Sequence, residues 1–447
     1  MTIITKTLGN REQKFDKERL KKYFERVSPN TPEKIFDKVV ASIETKSVFP
    51  AEEINPLIVN TVLEEVDELY TEGQYEASYF YMDSVYKQAS QNRNYVQENK
   101  YGGYYSLMKK LASEGLASPD ILKKYTKDEI IEAEGFINPE LDKKLKYNGA
   151  HALRTRYCIR GFNKEVLELP QERFLTIALT LFQDSPKDVR MKKVKESYWA
   201  MSNLLMTVAT PTLANSGKPQ GQLSSCFIDT VEDSLEGIYD SNTDVANASK
   251  FGGGIGVYMG KVRSRGSSIR GYKNVSSGVL PWIKQLNNTA VSVDQLGTRT
   301  GAIAVYLDVW HKDIMTFLDL KLNNGDDRLR AHDIFTGVTL PDLFMEQVEK
   351  RGTWHLFDPH EVKEVMGFSL EDSYDEEQGK GTFRERYFQC VSSNELSREV
   401  IPAIEIMKRI LRSQLETGTP FMFYRDEVNR QNANKHEGMI YSSNLCK

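Results

Sequence analysis

From about residue 206 onward, strand-like runs alternate with helical patterns, and this alternation limits the fold more than any other feature of the chain. Gly301–Val309, Ile334–Leu340, Thr353–Phe357 and Pro420–Tyr424 are candidate strands. Gln222–Ile228 is a polar loop that enters a strand, and Phe251–Val257 is a glycine-rich turn that enters another. Helical stretches lie between several of them, at Val293–Gln295 upstream of a loop, at Lys312–Leu318 and at Ile401–Thr417. Strands separated by helices point to an α/β fold with a largely parallel sheet or barrel. Ala209–Leu213 reads as a loop fixed by Pro211.

Upstream the texture is helical. Residues 3–7 alternate apolar and polar before a turn signal at Leu8-Gly9-Asn10. A helix opens at Phe15-Asp16, with Leu20, Tyr23, Phe24 and Val27 on one face, and further helices are expected at about 32–46, 51–69 and 74–91. Residues 96–205 are mostly helical, with amphipathic stretches at Tyr105–Glu114, Lys127–Glu134, Pro170–Phe182 and Val189–Met206. The expected segments are therefore 1–95, 96–205 and 206–447, within the two to four domains that about 150 residues per domain allows.

Composition excludes several classes. A net charge of −4 gives no general argument for nucleic acid or membrane surfaces. Four scattered cysteines, Cys158, Cys226, Cys390 and Cys446, form neither a secreted disulfide framework nor a CxxC site. The six histidines show no paired metal spacing. The opening residues Met1–Lys6 lack the apolar core of a signal peptide, and no apolar run approaches the ~20 residues that cross a membrane. A reduced, cytoplasmic protein without a membrane partner is the expectation.

Taken one at a time, the chemistry-bearing residues are ambiguous. Gly252-Gly253-Gly254 lets backbone approach a ligand, and it serves a structural turn equally well. Asp233-Ser234-Leu235, with Arg263, Ile269 and Arg270 downstream, offers a carboxylate for a ribose hydroxyl and guanidinium groups for phosphates, or else a salt-bridged loop. Gln295 and Arg299 share a polar loop able to read base edges. Lys6, Lys17, Arg19 and Lys87 suit phosphate oxygens, although spacing alone favours solvated surface charge. An unpaired cysteine such as Cys446 is most often inert packing.

Taken together, these motifs carry a resemblance. Ala209-Thr210-Pro211-Thr212, Ser224-Ser225-Cys226, Asp233-Ser234-Leu235, Gly252–Gly256, Gln295 with Arg299, and Ser443-Asn444-Leu445-Cys446 occur in one order. In that order the chain resembles, over essentially its whole length, the large catalytic subunit of class I ribonucleotide reductases. The resemblance implies an ATP-cone over 1–95, a helical domain over 96–205, and about the first half of a ten-stranded α/β barrel over 206–447. It implies reduction of ribonucleoside diphosphates by a thiyl radical on Cys446, with Asn444 bonding the substrate ribose and Cys226 as one member of the redox pair. Thr210, Ser225 and Gly254 match substrate-contacting positions. Asp233, Ser234, Leu235, Arg263, Ile269 and Arg270 match a specificity site for ATP or deoxynucleoside triphosphate effectors. Gln295 and Arg299 match the loop that relays effector identity, and Lys6, Lys17, Arg19 and Lys87 are candidates for the overall-activity site.

The implied partners are a metal-containing small subunit that supplies the radical, a second copy of the large subunit, and thioredoxin or glutaredoxin acting through a C-terminal cysteine tail. No metal is expected in this chain. The sequence departs from the family pattern where Lys447 follows Cys446, since that pattern places a glutamate two positions after the cysteine. The partner of Cys226, the main substrate-phosphate loop and the cysteine tail are expected from a C-terminal half, through a split gene, an intron or intein, or a truncation. Two other readings stand beside this one: an inert nucleotide-binding fragment, and a cobalamin-dependent class II reductase.

Overall fold

The computed structural model describes residues 2–6, 11–295, 299–300 and 302–445, with the side chains of residues 6, 11, 294, 295, 299 and 300 outside that description. Two compact units emerge, 1–223 and 224–447.

The first unit opens on a small sheet. Ile3–Lys6 (β1) pairs antiparallel with Arg11–Lys14 (β2) and parallel with Val48–Pro50 (β3). Lys17–Val27 (α1) and Glu33–Glu44 (α2) lie between β2 and β3, and Ala51–Glu64 (α3) and Gly73–Arg93 (α4) follow β3. Asp16 starts α1 by accepting the Arg19 amide at 3.1 Å, satisfying a donor that the first helical turn leaves orphaned. Leu20 and Phe24 then turn inward onto Phe36, Val39, Val62 and Phe80. Helix α3 ends at Glu64, short of the expected 69, because the Asp67 carboxylate takes the amides of Leu69 and Tyr70 into a turn.

The helix Pro170–Phe182 is buried over its first ten residues, charged ones included. Glu172 pairs with Arg93 at 2.9 Å and Arg173 with Glu168 at 3.1 Å, so these buried charges are matched. Ala209–Leu213 is not a loop: Thr210–Asn215 is a short helix with Pro211 in its first turn, where a missing amide costs nothing. This segment also explains why the division falls at 223/224 and not near 206. The Ser118 amide bonds the Gly217 carbonyl at 2.7 Å and Arg173 bonds the Ser216 carbonyl, so residues 206–223 belong to the first unit.

The second unit is a five-stranded parallel sheet. Its order runs Phe421–Tyr424, Phe335–Leu340, Ala302–Asp308, Gly254–Tyr258 (β5), Cys226–Thr230 (β4). Side chains alternate along each strand, so the two faces differ. Ile255, Val257, Ile303, Val305, Leu307, Val338 and Leu340 form the outer face and pack on helices such as Leu235–Lys250, Leu280–Ser292 and Ala403–Thr417. The inner face carries Gly254, Gly256 and Tyr258, then Ala304, Tyr306 and Asp308, then Phe423.

Two segments differ from their sequence expectation. Thr353–Leu356 does not join the main sheet: it pairs antiparallel with Glu399–Pro402, and Trp354 packs face to face with Tyr387 at 4.4 Å. Val293–Gln295 is not helical, because the preceding helix stops at Ser292 and Asp294–Gln295 pairs with Arg299–Thr300. The β-branched Val293 and the paired backbone beyond it favour the extended state.

Candidate functional site

The inner face of the sheet holds the site. β4 and β5 run parallel in the register Cys226↔Gly254 and Ile228↔Gly256. Ser225 and Cys226 sit at the entry of β4, with the hydroxyl and thiol 3.2 Å apart, and the Gly254 amide donates to the Ser225 carbonyl at 2.7 Å. Cys226 is half-buried, while Cys158 and Cys390 are buried. Burial pushes the Cys390 thiol up to about 12, which keeps it protonated and inert.

Residues 440–445 lie across this face. A Cβ on Gly256 would stand 1.8 Å from the Ser443 carbonyl oxygen, and one on Gly254 would stand 3.2 Å from the Leu445 Cβ. Glycine is required at 256 by this close approach, whatever its dihedral angles. Asn429 fixes the start of the segment, accepting the Ile440 amide at 2.7 Å and donating to the Ile440 carbonyl at 2.9 Å. Tyr306 donates to the Asn444 carbonyl at 3.1 Å. The Asn444 Oδ1 is buried and has no hydrogen-bond partner among the described residues. Cys446 lies outside the described residues. The residue before it, Leu445, rests over Gly254, the strand partner of Cys226.

Beneath Tyr441 is a buried charged network. Arg425 Nη2 lies 2.8 Å from both Tyr258 Oη and Asp308 Oδ1, and Tyr258 also donates to Asp308. Burial raises the Asp308 carboxyl above its ordinary value, with the Arg425 charge opposing that shift. Burial pushes Glu371 up to about 8, so it is a neutral acid at pH 7. The Tyr441 ring lies 5.3 Å from the Tyr258 ring, under the Lys261 ammonium, and its hydroxyl donates to Asp372 at 2.8 Å.

A second cluster lies at the start of the helix Leu235–Lys250. Ser234 caps that helix by accepting the Gly237 amide at 3.0 Å. Asp233 accepts the Arg263 amide and pairs with its guanidinium at 2.8 Å, while His360 Nδ1 lies 3.8 Å from the same carboxylate. Leu235, Ile269 and Arg270 are exposed. Arg270 and Gly271 both have positive φ, forming the tight turn that lets Ile269 and Tyr272 exchange backbone bonds. Buried Asp358 anchors this loop through the Ser264 amide at 2.9 Å and the Ser267 hydroxyl at 2.5 Å. Gln295 and Arg299 are paired backbone neighbours, and their side chains lie outside the described residues.

In the first unit, Arg19 and Lys87 line a cavity of about 290 Å³ with Lys14, Tyr23, Asn55 and Ser84. Lys17 does not turn toward it: its ammonium lies over the Phe36 ring, 5.6 Å from the centroid. At about 100° per residue, positions 17 and 19 face nearly opposite ways on α1. The Lys6 side chain lies outside the described residues. Thr210 opens its short helix, exposed, in this unit.

Residues 224–447 match the model of the ribonucleotide reductase barrel domain, and residues 143–221 match that of the ribonucleotide reductase all-alpha domain. The chain belongs to the ribonucleotide reductase family. It is 49% identical over 345 residues to the alpha subunit of ribonucleoside-diphosphate reductase of Treponema pallidum, covering 77% of this chain and 40% of the relative. The alpha subunit of Helicobacter pylori is 37% identical over 411 residues, covering 92% and 49%. That of Synechocystis is 38% identical over 394 residues, covering 88% and 50%. The chain thus spans about half the length of the curated relatives it matches. No helix among the described residues is long and apolar enough to cross a membrane.

The sequence placed Gly256 in the Gly252–Gly256 motif without a role of its own, and it did not single out Tyr306, Asn429 or the Tyr258–Asp308–Arg425 network. Gly256 had a readable signal, being two residues from Gly254 and so on the same strand face. Tyr306 and Asn429 had none, because their partners are remote or local only after folding.

Proposed function

We propose that this chain contributes the Cys226 and Asn444–Cys446 side of an active site that reduces ribonucleoside diphosphates. The observation that carries the reading is the seating of residues 443–445 on Gly254 and Gly256, directly beside the strand that begins with Cys226. The orphaned Asn444 Oδ1 is an acceptor for a ribose hydroxyl, since a buried amide oxygen without a donor costs about 1–3 kcal/mol. Ser225 and Gly254 would meet the substrate through hydroxyl and backbone groups, and Thr210 matches a substrate-contacting position by resemblance alone.

In this reading a thiyl radical at Cys446 takes the 3′-hydrogen and returns it at the end of the cycle. The 2′-hydroxyl leaves as water, and the two electrons come from Cys226 and a second cysteine, which close to a disulfide. Sulfur is the side-chain atom suited to both one-electron and dithiol chemistry. The second cysteine comes from a complementing C-terminal half, the radical from a metal-containing small subunit, and re-reduction from thioredoxin or glutaredoxin. A pair of large subunits is the working assembly.

ATP or deoxynucleoside triphosphates would bind at Asp233, Ser234, Leu235, Arg263, Ile269 and Arg270, with Gln295 and Arg299 relaying the effector. The Arg19–Lys87 cavity is the overall-activity site in this reading. The pairing of Arg263 with Asp233 supports the effector reading of the Asp233–Arg270 cluster, because the carboxylate fixes a guanidinium beside a helix N-terminus. The test is CDP reduction by this chain mixed with a complementing half and a radical-generating subunit. Turnover that disappears in Cys226→Ser is expected; absence of turnover despite tight effector binding would favour a regulatory nucleotide-binding fragment.

A further inference from the structure

The hydroxyl of Tyr306 is not needed to fill space. Its ring is fully buried on the inner face and occupies room left by Gly337, where a Cβ would come within 2.3 Å of it. A phenylalanine would pack the same volume, and a buried hydroxyl carries a desolvation cost unless it is bonded. Its bond goes to the Asn444 carbonyl, 138 residues away in sequence. Burial pushes the Tyr306 phenol up to about 12, so it remains a donor at every physiological pH.

Asn429 serves the other end. It is 1% exposed, and its amide is saturated by Ile440 on both its amide and carbonyl and by the Arg425 carbonyl at 2.9 Å. Ile440 and Asn444 are four residues apart, so the two side chains grip the segment at points up to ~13 Å apart. Between them Ser443 rests on Gly256.

We infer that Tyr306 and Asn429 are positioning residues for the reductase chemistry, a two-point clamp that sets where Asn444 and the next two residues present themselves to substrate. The inference rests on the function proposed above. Among the described residues, Tyr306 and Asn429 reach this segment through the Asn444 carbonyl and the Ile440 backbone. Each acts through the 440–445 backbone. The clamp fixes the segment without charge, which leaves the Asn444 side chain free for recognition.

The experiment compares Tyr306→Phe and Asn429→Ala with wild type in two arms. In the first, the chain is assembled with a complementing half and a radical-generating subunit, and CDP reduction is followed. Tyr306→Phe is expected to lower kcat about tenfold, the equivalent of one buried hydrogen bond, with KM for CDP changed less than twofold. In the second arm, hydrogen exchange is measured on the chain alone. Exchange within residues 440–445 is expected to rise about fivefold or more in both variants, with β5 and the strand of Tyr306 unchanged. A Tyr306→Phe protein with wild-type kcat and wild-type exchange overturns the clamp. If the wild-type assembly itself fails to reduce CDP, the functional reading falls, and the exchange arm still decides whether the clamp exists. If Asn429→Ala does not fold, Tyr306→Phe decides alone, because it removes one oxygen and no packing.

Discussion

Replacing Gly256 by alanine tests the site geometry most directly. The added carbon would stand 1.8 Å from the Ser443 carbonyl oxygen, where a carbon–oxygen contact normally needs ~3.3 Å. Because β5 is fixed between two strands, the segment must move by roughly 1.5 Å. Overpacking of this kind costs about 1–3 kcal/mol. In a unit of this size each kcal/mol lowers the melting temperature by about 2–4 °C, so the protein should remain folded. The effect on turnover is larger, since a displacement of ~1 Å at a reacting group costs about a hundredfold. Gly149→Ala provides the control: its carbon would meet nothing nearer than Leu145 Cδ2 at 4.0 Å, and the residue has no role in the site. CDP reduction by the complemented enzyme, with effector affinity and melting temperature measured in parallel, is the assay. If Gly256→Ala kept more than half of the wild-type kcat, the docking of residues 443–445 on β5 would not be the working geometry.

The remaining predictions concern charge and effectors. Burial raises the folded Glu371 carboxyl to about 8, against ~4.3 in an unfolded chain, so the folded state holds a proton that the unfolded state releases. Stability contributed there is complete below pH ~4.3 and is lost as pH rises toward about 8, by at most about 5 kcal/mol; Glu371→Gln should flatten that part of a denaturation-versus-pH profile. An unchanged slope would show that Glu371 is solvated. Arg19→Ala and Lys87→Ala should each weaken ATP binding by calorimetry about tenfold or more, whereas Lys17→Ala should leave it within twofold. Equal losses at all three positions would contradict the facing of α1. Asp358→Ala removes two bonds to the 263–270 loop and the cap of the helix Pro359–Met366, and should cost about 2–4 kcal/mol while weakening effector binding more than ATP binding at the cone.

Much of this architecture is written locally. The aliphatic face of Ile303, Val305 and Leu307 follows strand alternation, and Phe24 faces the core through the helical period. Lys17 and Arg19 were legible in the same way, because two residues on a helix are half a turn apart. Pro211 misleads because proline both breaks helices and begins them, and only the neighbouring Ser118–Gly217 bond shows which applies. Gly256, Tyr306 and Asn429 are of another kind. Their roles depend on a segment that crosses the sheet face. The contacts of Gly256 and Tyr306 span far more than any sequence window, and Asn429, eleven residues from Ile440, carries no pattern that marks the bond.

The inner face of the sheet also has a consequence for assembly of the fold. Tyr258, Tyr306 and Phe423 surround the small Gly254, Gly256 and Ala304, so residues 440–445 cover an apolar face with Ile440, Tyr441 and Leu445. The Tyr306–Asn444 bond spans 138 residues, so its closure costs less entropy once the strands of the sheet have paired. Pairing of the strands thus prepares the socket for its occupant. Loss of the occupant should therefore be a reversible local opening, with the sheet behind it left standing.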